Sequence, residues 1–190
     1  MLVPTPERTS LPAIVAAGRQ ILEADGLDAV TMAAVAARVG VRAPSLYKRV
    51  RNRDELIRLV AEAAIGELRD SLAAADHGGD PRTRLGELAR ALRAYARSRP
   101  AGYRLVFLPR AEGVEVPRAL LEATSAPLFA VVAELAGPAS ALVAARTVTA
   151  WVTGFISMEL NGAFRLGGEV DAAFDYGIAR LADAVTADPR

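Results

Sequence analysis

Between positions 42 and 53 the chain carries Arg42, Lys48, Arg49, Arg51 and Arg53 with no acidic residue among them. Cations at this density suit a polyanion, because guanidinium and ammonium groups pair with phosphate oxygens and an arginine fork matches the two acceptors on a guanine edge. They do not suit bond-breaking chemistry. The chain has no cysteine and a single histidine, so thiol catalysis and zinc fingers lack their residues. No glycine-rich loop follows a strand and no close carboxylate pair marks a dedicated site, which leaves an enzyme reading without support. No metal or cofactor is expected. His77, beside Gly78, Gly79 and Asp80, reads as a loop residue.

Such side chains need a rigid base, and the apolar spacing supplies one. Met32, Val35, Ala36 and Val39 form one helical stripe, and Leu46 and Val50 another, with Val41 between them and an interruption at Gly40. Helices of about seven or eight residues are too short to stand alone and must pack on each other and on a neighbour. Thr31 is placed to cap the first, Gly40 to end it in the left-handed conformation, and small Ala36 to admit close approach. The second is predicted over Ala43 to Val50, with Pro44 in its first turn, where a missing N–H is no loss. Asn52 and Glu55 have the spacing of a capping box opening the next helix. This is a helix-turn-helix pattern. The neighbour is a preceding helix that Ser10 and Pro12 open and Gly26 closes, with Ile14, Ala17, Ile21 and Leu22 as its apolar stripe.

Charge separates this region from the rest. Residues 1–60 hold nine Lys or Arg against six Asp or Glu, whereas the other 130 residues hold fourteen against sixteen. The near-neutral total hides a polarised molecule. The 190 residues suit a small domain over 1–53, a bridging helix over 53–75 and a larger helical domain over 76–190. Strand signals are absent, so the fold is expected to be all-α with about nine helices. MLVPTPERTSLP lacks the order of a signal peptide, and Arg146 and Glu159 bracket the longest apolar run, so a cytoplasmic protein without a membrane partner is expected. Arginine outnumbers lysine twenty-two to one and alanine is abundant, which points weakly to a GC-rich bacterial genome.

In the larger domain Asp80 and Pro81 open a helix to about Arg99 with Leu85, Leu88, Leu92 and Tyr95 on one face. A short segment follows Pro100, then a break over Pro109 to Gly113, a helix from Pro117 to Leu135 containing Pro127, and two long helices near 138–164 and 169–186. Apolar residues surround the axis of the first long helix, so it must be buried on more than one side. The two are expected to pair with their copies as a four-helix bundle across a two-fold axis, with Gly154, Phe174, Gly177, Ile178 and Leu181 as candidate dimer contacts. Tyr103, Phe107, Trp151, Phe155 and Met158 are candidates for an apolar ligand pocket, with plain core packing as the alternative. Glu159 is expected to meet a ligand or an arginine such as Arg104 or Arg146.

Residues 8–60 resemble the N-terminal domain of TetR-family transcriptional regulators through DGLDAVTM, VAARVGV, PSLYKRV and RDELI. Val50 stands where many members carry an aromatic residue, and Arg53 where many carry lysine. The segment WVTGFISMELNGAFRLGGEVDAAFDYGIARL resembles the WHG-type C-terminal domain of the family, with Thr153 in place of the histidine. The resemblance implies a homodimeric, effector-sensing regulator, most often a repressor, on a palindromic double-stranded DNA operator. It places Thr31, Tyr47, Lys48 and Arg53 toward phosphates and Arg42, Ala43, Pro44 and Ser45 toward bases, with Arg49 open to either. The effector it implies is an unidentified small molecule, here expected to be largely apolar, that releases the operator by tilting the bridging helix. An activator of the same family and a non-specific architectural DNA-binding protein remain the alternatives at this point.

Overall fold

The structure, a computed structural model, describes residues 10–107 and 116–186. The expected break over Pro109 to Gly113 lies outside them. Nine α-helices and no strand are present among the described residues. They are α1 (Leu11–Asp25), α2 (Met32–Val39), α3 (Ala43–Leu46), α4 (Arg53–Ala75), α5 (Pro81–Ser98), α6 (Pro100–Phe107), α7 (Arg118–Ala136), α8 (Ala141–Leu160) and α9 (Val170–Val185), with a 3-10 turn at Leu27–Ala29.

Helix ends follow local side-chain chemistry. Ser10 Oγ accepts from the Ala13 N–H at 3.3 Å, Thr31 Oγ1 from Ala34 at 3.1 Å and Asp80 Oδ2 from Thr83 at 2.9 Å, each satisfying an amide with no intrahelical acceptor. Gly40 ends α2 at φ 74° and ψ 38°, a conformation a side chain would strain. The second helix of the pair is shorter than predicted: α3 stops at Leu46 instead of Val50. Beyond it the chain tightens, and the Leu46 carbonyl accepts from both Arg49 at 2.8 Å and Val50 at 2.9 Å. A carbonyl oxygen has two lone pairs and can accept both. Leu46 and Val50 are nonetheless fully buried, so the packing stripe survives where the helix does not.

By packing, the chain divides into two units, residues 1–66 with 99–120 and residues 67–98 with 121–190. The division falls inside the continuous helix α4. In the first unit α1, α2, α3 and the start of α4 enclose Ile14, Val35, Leu46, Val50, Leu56 and Val60. The close approach needs Gly18, where a Cβ would lie 2.8 Å from a Val60 methyl. The expected boundary at residue 76 assigned α6 to the larger domain, whereas it packs in the first unit. Leu105 joins that core, and the Glu23 carboxylate accepts from the Ala101 and Gly102 N–H groups at 3.1 and 2.8 Å.

In the second unit α5 packs on α8 and α9. Val148, Val152 and Ile156 of α8 and Phe174, Ile178 and Ala182 of α9 are buried there. By length and composition alone α7 and α8 are apolar enough to cross a membrane, with mean hydropathies of 1.5 and 1.3 over their best windows, a test that the core helices of a folded domain pass equally. Both contribute core: Val131, Val132, Leu135 and Ala136 of α7 and Val148, Val152 and Ile156 of α8 are buried.

Candidate nucleic-acid interface

The segment after Gly40 presents its chemistry outward on a fixed base. Arg42, Pro44, Tyr47, Lys48 and Arg49 are exposed and Ala43, Ser45 and Thr31 half-buried, while Leu46 and Val50 anchor the segment below. Among the described residues Arg42 and Lys48 have no acidic partner, so their charge remains available to an outside anion. Thr31 uses an oxygen lone pair for its cap and keeps its hydroxyl proton to donate. Tyr47 is 54 % exposed, which leaves its phenol on the surface.

Arg53 is placed differently. Its Nε donates to the Val30 carbonyl and one terminal nitrogen to the Leu27 carbonyl, both at 2.9 Å, and its side chain is partly buried. The expected capping box is half formed: Asn52 Oδ1 accepts from the Glu55 N–H at 2.9 Å, but Glu55 reaches past Asn52 to the Arg51 N–H at 2.6 Å and to Arg51 Nε at 3.1 Å. That backbone amide first, and the Arg51 guanidinium after it, hold the Glu55 carboxyl below the ordinary carboxylate range. Arg51 is thereby engaged at the surface.

The residues expected to line a ligand pocket fall in two places. Tyr103 and Phe107 stack at 4.7 Å between ring centroids within the first unit, and burial pushes the Tyr103 phenol up to about 12. Trp151 and Phe155 lie in the second unit at 5.4 Å, joined there by Phe174, and Met158 is half exposed. A hollow of about 730 Å³ opens between α7 and α8, walled by Leu128, Phe129, Leu142, Ala145, Arg146 and Thr149, none of them on that expected list. Of the residues expected at a dimer contact, Phe174 and Ile178 are buried within their own unit, and Gly177 faces Trp151, whose ring a Cβ would approach to 2.0 Å. These three serve packing inside the chain. Gly154 is exposed and Leu181 half-buried.

The sequence reading missed Arg93. It is 7 % exposed, donates to both Glu159 oxygens at 2.6 and 2.7 Å and to Asp171 at 2.7 Å, and its guanidinium carbon lies 4.8 Å from the Phe174 ring centroid. Glu159 therefore pairs with Arg93 and not with Arg104 or Arg146. The signal was present: Leu85, Ala89 and Arg93 recur at four-residue steps, so Arg93 occupies a core position of α5.

Three helices packed on one core and carrying an exposed basic turn segment, with a further helical unit in the same chain, define a helix-turn-helix regulator. Comparison with known proteins makes this specific. Residues 14–60 match the model for bacterial regulatory proteins of the tetR family, and residues 85–181, just over half of the chain, match the tetracyclin repressor-like C-terminal domain. The chain belongs to the TetR family of bacterial DNA-binding transcriptional regulators, which are not enzymes. An uncharacterised HTH-type transcriptional regulator of Mycobacterium tuberculosis is 29 % identical over 184 residues, spanning 95 % of this chain and 83 % of its own length. BioQ of Mycobacterium smegmatis superposes with a TM-score of 0.69 at 26 % identity, covering 93 % of this chain and 97 % of BioQ. BioQ has also been solved with its double-stranded DNA operator, with a TM-score of 0.64 over 95 % of this chain and 98 % of that one at 26 % identity. A TetR variant of Acinetobacter baumannii in complex with minocycline superposes at 0.67, with 25 % identity over 92 % of this chain and 95 % of that one.

Proposed function

We propose that this regulator is a repressor that binds a palindromic operator as a homodimer and is released by a small-molecule effector. The observation that carries the reading is the exposed segment from Arg42 to Arg49, held on a buried Leu46–Val50 base. Two copies would present it to successive major grooves about 34 to 36 Å apart. Arg42, Ala43, Pro44 and Ser45 face base edges in this scheme, Thr31, Tyr47 and Lys48 hold phosphates, and Arg49 serves one or the other. A second copy covers α8 and α9 through Gly154 and Leu181 together with exposed Val143 and Tyr176. The effector is a largely apolar molecule taken up by the second unit, in keeping with the walls of the α7–α8 hollow and with the aromatic pair Trp151 and Phe155.

A gel-shift titration against DNA flanking the gene, with excess non-specific competitor, tests the reading. Retention on one palindrome with a stoichiometry of two chains supports it, and uniform binding across sequences sinks it in favour of an architectural protein. Loss of the shifted band on addition of a ligand that raises the melting temperature tests repressor release. Unchanged affinity for that ligand in the Trp151→Ala, Phe155→Ala pair excludes the aromatic placement, and unchanged affinity in Phe129→Ser excludes the hollow.

A further inference from the structure

We infer that Arg53 is a positioning residue for DNA reading and not a phosphate contact: its guanidinium ties the first turn of α4 to the chain reversal that delivers Thr31 and α2 to the operator. The inference rests on the DNA-reading assignment above. Arg53 Nε and a terminal nitrogen each donate at 2.9 Å, to Val30 and Leu27 respectively, which are the two ends of the 3-10 turn. The turn closes on itself through the Val30 N–H to the Leu27 carbonyl at 3.0 Å. Arg53 therefore grips both carbonyls of a loop whose next residue is the N-cap of α2.

The chemistry of the fork explains why an arginine performs this. Its planar donors are fixed relative to one another and engage two acceptors without further ordering, whereas an ammonium is a point charge on a flexible stem. Val30 is fully buried, so the turn is pinned from inside by its side chain and from outside by Arg53. Carbonyls are neutral partners, and the bonds to a charged donor are stronger than those between neutral groups. Two of the five guanidinium N–H donors are committed in a fixed plane, so the orientation of the group is set by the turn. The neighbouring cations make the contrast: Lys48 and Arg42 are exposed and without an acidic partner among the described residues.

The test compares Arg53→Lys, Arg53→Gln and Lys48→Ala by operator affinity across a salt series, with amide hydrogen exchange over residues 27–35 of the free protein. Positioning predicts that Arg53→Gln and Arg53→Lys both lose about tenfold or more in affinity, that the slope of log affinity against log salt stays at the wild-type value, and that exchange at Val30 to Ala34 speeds up in both. A phosphate contact predicts that Arg53→Lys keeps the affinity and that Arg53→Gln flattens the slope by about 0.9; this result overturns the inference, as does wild-type affinity in both variants. If Arg53→Gln fails to fold, Arg53→Lys decides alone: lost affinity at unchanged slope supports the brace, and wild-type affinity overturns it. If the wild-type protein reads no DNA, the function proposed above fails by itself. The exchange rates then decide the brace, faster in Arg53→Lys if it exists and unchanged if it does not.

Discussion

The two units place their cations differently: the second ties helices distant in sequence together, the first pairs near neighbours and leaves part of its charge exposed. In the second unit Arg82, Arg84, Arg90, Arg93, Arg97 and Arg180 each meet a carboxylate, several of them across helices, as Arg84 does with Asp76 and Glu134 and Arg90 with Asp175. In the first unit Arg51 and Arg58 pair only with Glu55 and Glu62, three or four residues away along the chain, Arg53 bonds two neutral carbonyls, and Arg42 and Lys48 stand exposed with no acidic partner among the described residues. One region consumes its positive charge as cross-links. The other keeps Arg42 and Lys48 for an external anion. The lesson is that composition alone assigns no role to an arginine; what decides is whether a carboxylate shares its surface.

The largest effect that can break this contrast is at Arg93. Removing it leaves Glu159, whose side chain is 17 % exposed, without its bidentate partner and strips the cation from the Phe174 ring. Arg93→Ala is expected to lower unfolding stability by about 3 kcal/mol, the cost of orphaning a buried charge. Urea denaturation measures it. Arg93→Met with Glu159→Leu is expected to recover most of the loss, because no charge then remains buried. A loss below about 1 kcal/mol for Arg93→Ala would place this network with ordinary surface pairs.

At the basic segment the expected effects are on binding, with folding untouched. Arg42→Ala should relax discrimination at one base pair by about 1 to 3 kcal/mol. Lys48→Ala should weaken binding to every sequence and flatten the salt slope by about 0.9. Both side chains are exposed, so melting temperatures should hold. A Lys48→Ala protein with wild-type slope and affinity removes that residue from the phosphate contacts.

Most of the first unit was legible in the sequence because its determinants are local. Ser10, Thr31 and Asn52 accept from amides within one turn, Gly40 supplies the left-handed conformation that ends α2, and the stripes of α1 and α2 are regular. What escaped were contacts distant in sequence. Arg53 reaches residues 23 and 26 positions away, Glu23 caps a helix 78 positions on, and Arg93 pairs 66 positions away. Periodicity reports which face of a helix is buried but not against what. That is why the spacing of Phe174, Gly177 and Ile178 is compatible with a dimer face, while within the chain Phe174 and Ile178 are buried and Gly177 lies against Trp151. Two glycines measure the difference. Gly177→Ala drives a Cβ into the Trp151 ring and should destabilise by about 1 to 3 kcal/mol. At Gly154 a Cβ meets nothing within 4 Å of the chain, so Gly154→Ala should stabilise the isolated chain by about 0.5 to 1 kcal/mol. If a second copy packs there, the same change shifts the dimer dissociation constant measured by sedimentation, whereas an unaltered dimer clears Gly154 from the interface.

The smallest expected effect separates the two units by the cause of a depressed carboxyl. Asp76 is held below the ordinary aspartate range chiefly by the Arg84 guanidinium, at 2.7 Å, whereas for Glu55 the largest single cause is the Arg51 backbone N–H, with the Arg51 guanidinium after it. A depressed carboxylate stabilises the fold above its unfolded value, and that contribution is lost as pH falls through the folded one. Arg84→Gln should therefore return Asp76 toward its ordinary value, leaving the variant less stable than wild type at neutral pH and equal to it once both carboxyls are protonated. Arg51→Ala keeps the amide that matters, so Glu55 should remain depressed. Carboxyl chemical shifts through an acid titration read both sites in one experiment. An Asp76 midpoint unmoved by Arg84→Gln would mean that the Gly78 amide, at 3.2 Å, holds it instead. The two regions would then differ in how they spend arginine without differing in how they hold a carboxylate.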